Sequence, residues 1–264
     1  SGASLAIFRI AVGLVMILEA WSLVRPSAST IGRVMLDTYY TGTDIHFHFP
    51  YAWFEWVPVL SNQWMHALVA ILAGASLLVA VGLFYRIAAV ILFLAWGYFY
   101  VIESTRTYWM SYYYLELLVT FLLIWMPAAR RYSVDAWLRR KILKNQQPLT
   151  IPNACLLLLR LQLLIAYFYA GVAKLNSDWL LNAVPMKNFL ATAASRHFQG
   201  ISWVQDLLHS VSFAYFLSWS GALFDVSIGF LLLVRKTRFA GFVLLLLFHA
   251  FNHFVLFDDI IWFP

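Results

Sequence analysis

The amino-acid sequence predicts an all-α integral membrane protein, a bundle of about seven transmembrane helices with amphipathic helices in its outer loops. Of its 264 residues, 63% are hydrophobic and only 11% are charged, and the mean hydropathy is +0.77. A soluble domain of this size needs a far more polar surface. We find no internal repeat and no soluble second domain, so residues 1–264 are expected to form a single transmembrane domain.

Seven apolar segments approach or reach the length of about 20 residues that a transmembrane helix requires. They lie at about residues 5–24, 64–85, 87–102, 112–128, 154–174, 211–234 and 239–257. The first is longer than the apolar part of a signal peptide, and no basic residues precede it, so we expect a retained helix.

Lysine and arginine are divided unequally between alternate loops. One set of loops contains ten of them: Arg86, Arg130, Arg131, Arg139, Arg140, Lys141, Lys144, Arg235, Lys236 and Arg238. The other set contains five: Arg25, Arg33, Arg106, Lys187 and Arg196. Basic loops remain in the cytoplasm, so we expect a cytoplasmic N-terminus in a bacterial inner membrane, with Lys174 towards the outer face.

The net charge of +6 is carried mainly by these short loops and does not indicate nucleic-acid binding. The basic segment from Ala129 to Thr150 has two interpretations. It either reflects the topology alone or forms a surface helix that contacts anionic headgroups. The lipid bilayer is the partner that the composition predicts.

Ionisable residues within apolar spans usually face the protein interior and often mark functional sites. Arg160, Tyr167 and Lys174 are spaced by seven residues and therefore share one face of the fifth span, with Gly171 one turn before the lysine. This face is expected to point into the bundle.

Asp225 lies on a face of small residues in the sixth span, with Ser218, Gly221 and Gly229, which permits close helix approach. Counted from the cytoplasmic ends of their spans, Arg160 and Asp225 lie at similar depth. We therefore predict that they pair, or share a network with Arg9, and such a pair could simply determine helix register.

Lys174 has two interpretations. Burial penalises the charged form of a lysine, so a buried lysine can act as a base. Alternatively, its stem is buried and its ammonium group reaches the outer headgroups. Glu19, near the outer end of the first span, is the expected partner if Lys174 remains charged.

His249, Asn252 and His253 fall on one face of the last span. Two histidines four residues apart are compatible with a metal, but spacing supplies no third ligand, and no metal is expected. We expect His249 to form a hydrogen bond inside the bundle and His253 to face the outer interface.

Several segments resemble those of a known family. They are Leu5–Arg9, Gly82–Ile87, Tyr132–Asp135, Tyr167–Trp179, Asp225–Phe230 and Phe248-His249. On these segments the chain, from about Leu5 to Phe257, resembles the vitamin K-dependent gamma-carboxylase-like proteins, or horizontally transferred transmembrane (HTTM) domain, as a divergent member.

The resemblance implies that Lys174 matches the proposed base that deprotonates reduced vitamin K. The resulting anion reacts with oxygen, and the product takes a proton from a glutamate γ-carbon before carbon dioxide adds. A reduced quinone would then be the cofactor, and the supporting residues would be Arg160, Tyr167, Asp225, His249 and Ser111.

The chain also departs from the family pattern. Met110 and Ser111 stand where family members commonly carry Asn-His, and neither can replace the histidine. Three hypotheses for the function therefore stay open. The first is a carboxylase-like enzyme that activates a reduced quinone or other lipid-soluble substrate. The second is a non-catalytic integral subunit of a larger membrane complex, and the third is a transporter or channel. The last is the weakest, because we see neither repeat symmetry nor broken helices.

Overall fold

The computed structural model describes residues 2–26, 36–37, 53–103, 111–142 and 150–256, without the side chains of residues 103, 111, 112, 196 and 197. These residues form eleven α-helices. The chain divides into two compact units, Ser1–Leu156 and Leu157–Pro264. Each unit is described by itself.

The first unit contains four apolar helices and one basic helix. They are α1 (Gly2–Val24), α2 (Asn62–Val81), α3 (Tyr85–Glu103), α4 (Ser111–Trp125) and α5 (Val134–Ile142), with a 3-10 turn at Ala128–Arg130 before α5. The apolar helices pack in sequence order, α1 on α2, α2 on α3 and α3 on α4. The approach of α1 to α2 is close, because a Cβ at Gly13 would lie 2.7 Å from the Cβ of Ala80.

The described residues of the second unit form five helices and most of a sixth. They are α6 (Asn153–Ala173), which begins just before the boundary, α7 (Ser177–Leu180), α8 (Val184–His197), α9 (Ser202–Leu208), α10 (Val211–Leu233) and α11 (Arg238–Phe251), which continues into a π-helical turn at Asn252–Leu256. Its core forms where α8 packs on α10 and on the π turn. Met186, Leu190, Ala214 and Leu256 are buried there.

Apolar helices are present at the segments where transmembrane spans were predicted. Among the described residues, six helices are long and apolar enough to cross a membrane, at Gly2–Val24, Asn62–Val81, Tyr85–Ile102, Asn153–Ala173, Val211–Leu233 and Arg238–Leu256, and Tyr113–Trp125 is a shorter apolar helix. The chain is therefore a helical integral membrane protein. Its orientation in the membrane remains a prediction.

The error at the end of the second predicted span has a local cause. The second span was predicted to end at residue 85, but α2 ends at Val81 because Gly82 adopts a left-handed φ of 69° and its amide donates to Leu78 and Val79. Glycine reaches this conformation without steric cost and commonly ends a helix in this way. Of the two interpretations of Ala129–Thr150, a helix is present as α5, and its contact with anionic headgroups stays a prediction.

Candidate functional site

The candidate site is built around an ion pair between Lys174 and Asp225. Lys174 directly follows α6, and its Nζ donates to Oδ2 of Asp225 on α10. The side chains are 21% and 4% exposed, respectively. The carboxylate is thus enclosed, whereas the lysine side chain is partly exposed.

Glycines allow the two helices to approach closely enough for this pair. A Cβ at Gly171 would lie 2.6 Å from the backbone nitrogen of Val226, and a Cβ at Gly229 would lie 2.7 Å from the Cα of Leu164. Real Cβ atoms do not come this close, so only glycine fits at either position. Lys174 lies one turn after Gly171 and reaches Asp225 across this contact.

Trp179 lies beside the lysine because of a local cap. Asn176 precedes the short helix α7, and its side-chain oxygen accepts a hydrogen bond of 3.0 Å from the amide of Trp179. Asparagine is among the preferred residues at such a position. The carbonyl of Trp179 also accepts a hydrogen bond from Ser218. Nζ of Lys174 then lies 5.2 Å from the centre of the indole ring, within the range of a cation–π interaction.

A second polar contact lies on the same face of α6, two turns before the lysine. The hydroxyl of Tyr167 and Nε2 of His249 are 2.6 Å apart in a hydrogen bond, which confirms the predicted role of His249 inside the bundle. Phe224 packs on Phe248 with ring centres 4.0 Å apart, and Tyr167 contacts Phe224 at 6.1 Å. The polar groups are therefore bordered by aromatic rings.

The predicted pair between Arg160 and Asp225 is wrong. Asp225 pairs with Lys174 instead, and Arg160 is exposed. The error came from counting depth from the helix ends. The glycine contacts show that α6 and α10 are staggered, so equal distances from their ends are not equal depths. The prediction that Glu19 is the partner of Lys174 is also wrong, because Lys174 pairs with Asp225. Glu19 is buried in α1 of the first unit.

Two further predictions concern Ser111 and a metal site. Ser111 is the first residue of α4, but its side chain and all of Met110 lie outside the described residues. In the part of the chain that the structure describes, no three His, Cys, Asp or Glu side chains converge on one point.

Arg9 belongs to a separate polar cluster in the first unit. Its side chain is fully buried, and its guanidinium donates to the carbonyls of Tyr132, Ala80 and Ala128 at 2.6, 3.2 and 3.4 Å. These carbonyls accept hydrogen bonds from Nη1 and Nη2 of Arg9, and Asp225, the predicted network partner, pairs with Lys174. The guanidinium also lies against Gly82, where a Cβ would be 2.1 Å from Nη1.

Asp135 completes that cluster from α5. Its two carboxylate oxygens accept hydrogen bonds from the backbone amides of Phe84 and Tyr85, with N–O distances of 3.0 Å. Its own amide donates to the carbonyl of Gly82. Sequence reasoning did not foresee this arrangement, although it brings together Leu5–Arg9, Gly82–Ile87 and Tyr132–Asp135, three segments that carry the family resemblance.

The chain matches the model of a known protein family. The family model of the HTTM domain matches residues 1–264, the full length of the sequence. No solved structure gives a significant match to the chain.

Proposed function

The chain belongs to the HTTM domain family, and on that premise we propose that it is a membrane enzyme that removes a proton from a lipid-soluble substrate at the pair of Lys174 and Asp225. A reduced quinone is the substrate class that the resemblance suggests. The observation that carries the proposal is the ion pair itself.

The pair has two protonation arrangements that contain the same number of protons and differ in the position of one of them. In the first, the Lys174 ammonium binds the Asp225 carboxylate. Transfer of a proton to Oδ2 of Asp225 leaves a neutral amine beside a neutral carboxylic acid. Burial of charge is costly in an apolar site, so the neutral arrangement is far closer in free energy than it would be in water.

The neutral amine is the form that can act as a base. Its lone pair accepts a proton from a hydroxyl group placed at Nζ, and the ammonium that forms lies next to the substrate anion and stabilises it. Asp225 is 4% exposed and Lys174 is 21% exposed. The enclosed carboxylate therefore holds the exchanged proton while the more accessible amine meets the substrate.

The surroundings of the pair fit a flat aromatic substrate with polar hydroxyl groups. Binding sites for such molecules combine aromatic walls with a few polar groups. Trp179 supplies an aromatic face beside Nζ, and the hydrogen-bonded Tyr167 and His249 supply a second polar contact on the same helix face. A reduced quinone bound here would supply an anion that is reactive towards oxygen.

A second candidate function is that of an integral subunit without catalysis. The same ion pair would then maintain the register of α6 and α10, which the contacts of Gly171 and Gly229 also favour. Met110 and Ser111, at the position of the family's Asn-His, agree with this alternative.

The test measures oxygenation of a quinone. Purified protein in nanodiscs receives reduced naphthoquinone and oxygen, and mass spectrometry measures the quinone epoxide. We compare the native chain with Lys174→Arg and Lys174→Ala. Arginine retains the cation beside Asp225 but does not act as a base, so Lys174→Arg should lose about 100-fold or more of the activity.

Lys187→Ala is the matched control. Nζ of Lys187 also lies 5.2 Å from the centre of an aromatic ring, that of Tyr215, and its side chain is exposed. This variant should retain native activity. Equal epoxide formation by the native chain and Lys174→Arg would contradict the proposal. Absence of epoxide from a native chain that is as stable as its variants would favour the subunit.

A further inference from the structure

The first unit contains a cleft whose residues are distant in sequence from Lys174. Its volume is about 150 Å³ and it is open to the outside. Three arginines line it, Arg86 from α3, Arg130 from the 3-10 turn and Arg139 from α5, together with Tyr85 and Asp135. We call it the arginine cleft.

The positive charge of the arginine cleft is incompletely neutralised. Three guanidinium groups face one carboxylate, which leaves a net charge of two, and the oxygens of that carboxylate, Asp135, already accept the amides at the start of α3. Among the described residues, none of the three arginines forms an ion pair.

Most of the guanidinium donors remain available. Arg86 donates to the carbonyl of Ile124, and Arg130 donates to the carbonyl of Thr150 at 2.9 Å. The side chain of Arg139 is exposed and forms no hydrogen bond with any described residue. Each guanidinium carries five N–H donors, so three of these groups can together bind an anion with several acceptor oxygens.

The arginine cleft lies where two apolar helices end. The apolar helix α3 begins at Tyr85, and α4 ends at Trp125, which is 67% exposed. Tyr132 and Trp137 are also exposed, and Lys141 lies 4.8 Å from the ring centre of Trp137. Exposed tryptophan and tyrosine at the ends of apolar helices are typical of the headgroup layer.

We propose that the arginine cleft binds the phosphate group of an anionic phospholipid headgroup. Arginine matches the geometry of phosphate oxygens, to which it donates paired hydrogen bonds. The position at the helix ends and the exposed aromatic residues favour a lipid over a soluble phosphate. This inference is independent of the chemistry at Lys174.

The test measures lipid binding to the full chain in detergent by native mass spectrometry. Phosphatidylglycerol and phosphatidylcholine are titrated separately against the native chain, Arg139→Gln and Arg140→Gln. Arg140 is the matched control, because it follows Arg139 on α5 and is exposed, yet it lies outside the cleft and donates to the carbonyl of Ala136. Both variants remove the same charge.

We expect the native chain to prefer phosphatidylglycerol. Arg139→Gln should weaken that binding about tenfold, and Arg140→Gln should change it less than about twofold. Equal losses in the two variants would show attraction to surface charge only and overturn the proposal. Complete displacement of the lipid by millimolar inorganic phosphate would overturn the assignment to a lipid.

Discussion

The two units of the chain hold a cationic side chain in different ways. In the first unit, Arg9 is fully buried and donates to three backbone carbonyls contributed by α2 and by the segment between α4 and α5. In the second unit, Lys174 is partly exposed and pairs with the carboxylate of Asp225. The guanidinium of Arg9 donates to neutral carbonyls, whereas the ammonium of Lys174 donates to a carboxylate.

This difference separates a structural charge from one that can take part in chemistry. The guanidinium of arginine remains protonated in proteins, and backbone carbonyls cannot accept its proton, so Arg9 and the carbonyls that bind it have a single protonation state. Lysine and aspartate can exchange a proton within their pair. We infer that the first cluster connects distant segments of the chain and that the second is suited to proton transfer.

The largest effect on stability is expected from Arg9→Met. This change removes the donor from three carbonyls, those of Ala80 and Ala128 in buried contacts and that of Tyr132 in a partly buried one, and each buried group left unsatisfied costs about 1–3 kcal/mol. We expect a loss of about 3 kcal/mol or more in the free energy of unfolding, measured by chemical denaturation in detergent. Arg140→Met, on the exposed face of α5, is the control and should unfold at the native midpoint. A similar midpoint for both variants would remove the distinction between the two clusters.

A smaller effect is expected from Gly229→Ala in the second unit. The added methyl group would meet the backbone of Leu164 at 2.7 Å, and such overpacking costs about 1–3 kcal/mol. Gly221→Ala is the matched control on the same helix, because a Cβ there meets nothing within 4 Å. We expect only Gly229→Ala to lower the free energy of unfolding. If both variants are equally stable, helix register does not depend on this glycine.

The smallest effect is expected from the ion pair. Lys174→Met, Asp225→Asn and the double variant form a double-mutant cycle. We expect a coupling free energy of about 1 kcal/mol, because partial exposure of the lysine screens the pair and polar contacts in membranes are individually weak. Additive losses in the unfolding experiment would show that the two residues act independently. A coupling as large as the loss in Arg9→Met would make the pair mainly structural.

Much of the site could be predicted because it follows local periodicity. The spacing of Tyr167 and Lys174 places both on one face of α6, and His249 forms the expected hydrogen bond within the bundle. The small residues around Asp225 predicted a close helix contact, which Gly229 confirms. Each of these predictions depends only on positions within a single helix.

The partner of Lys174 could not be predicted in the same way. Pairing Arg160 with Asp225 assumed that two helices begin at equal depth, and nothing in either helix sequence specifies their relative shift. The hydrogen bonds of Arg9 were missed for a related reason. Its acceptors are backbone carbonyls, which every residue carries, so the sequence contains no signal for them.

By itself, the sequence determined that this is a helical membrane protein, where its apolar helices lie and which ionisable residues they contain. These properties follow from hydropathy and from the helical repeat, both of which are local. Only the tertiary structure decided that Asp225 neutralises Lys174 and that Arg9 binds carbonyls. Such contacts depend on how far one helix is displaced along another, and that displacement is set by where glycine permits two backbones to meet.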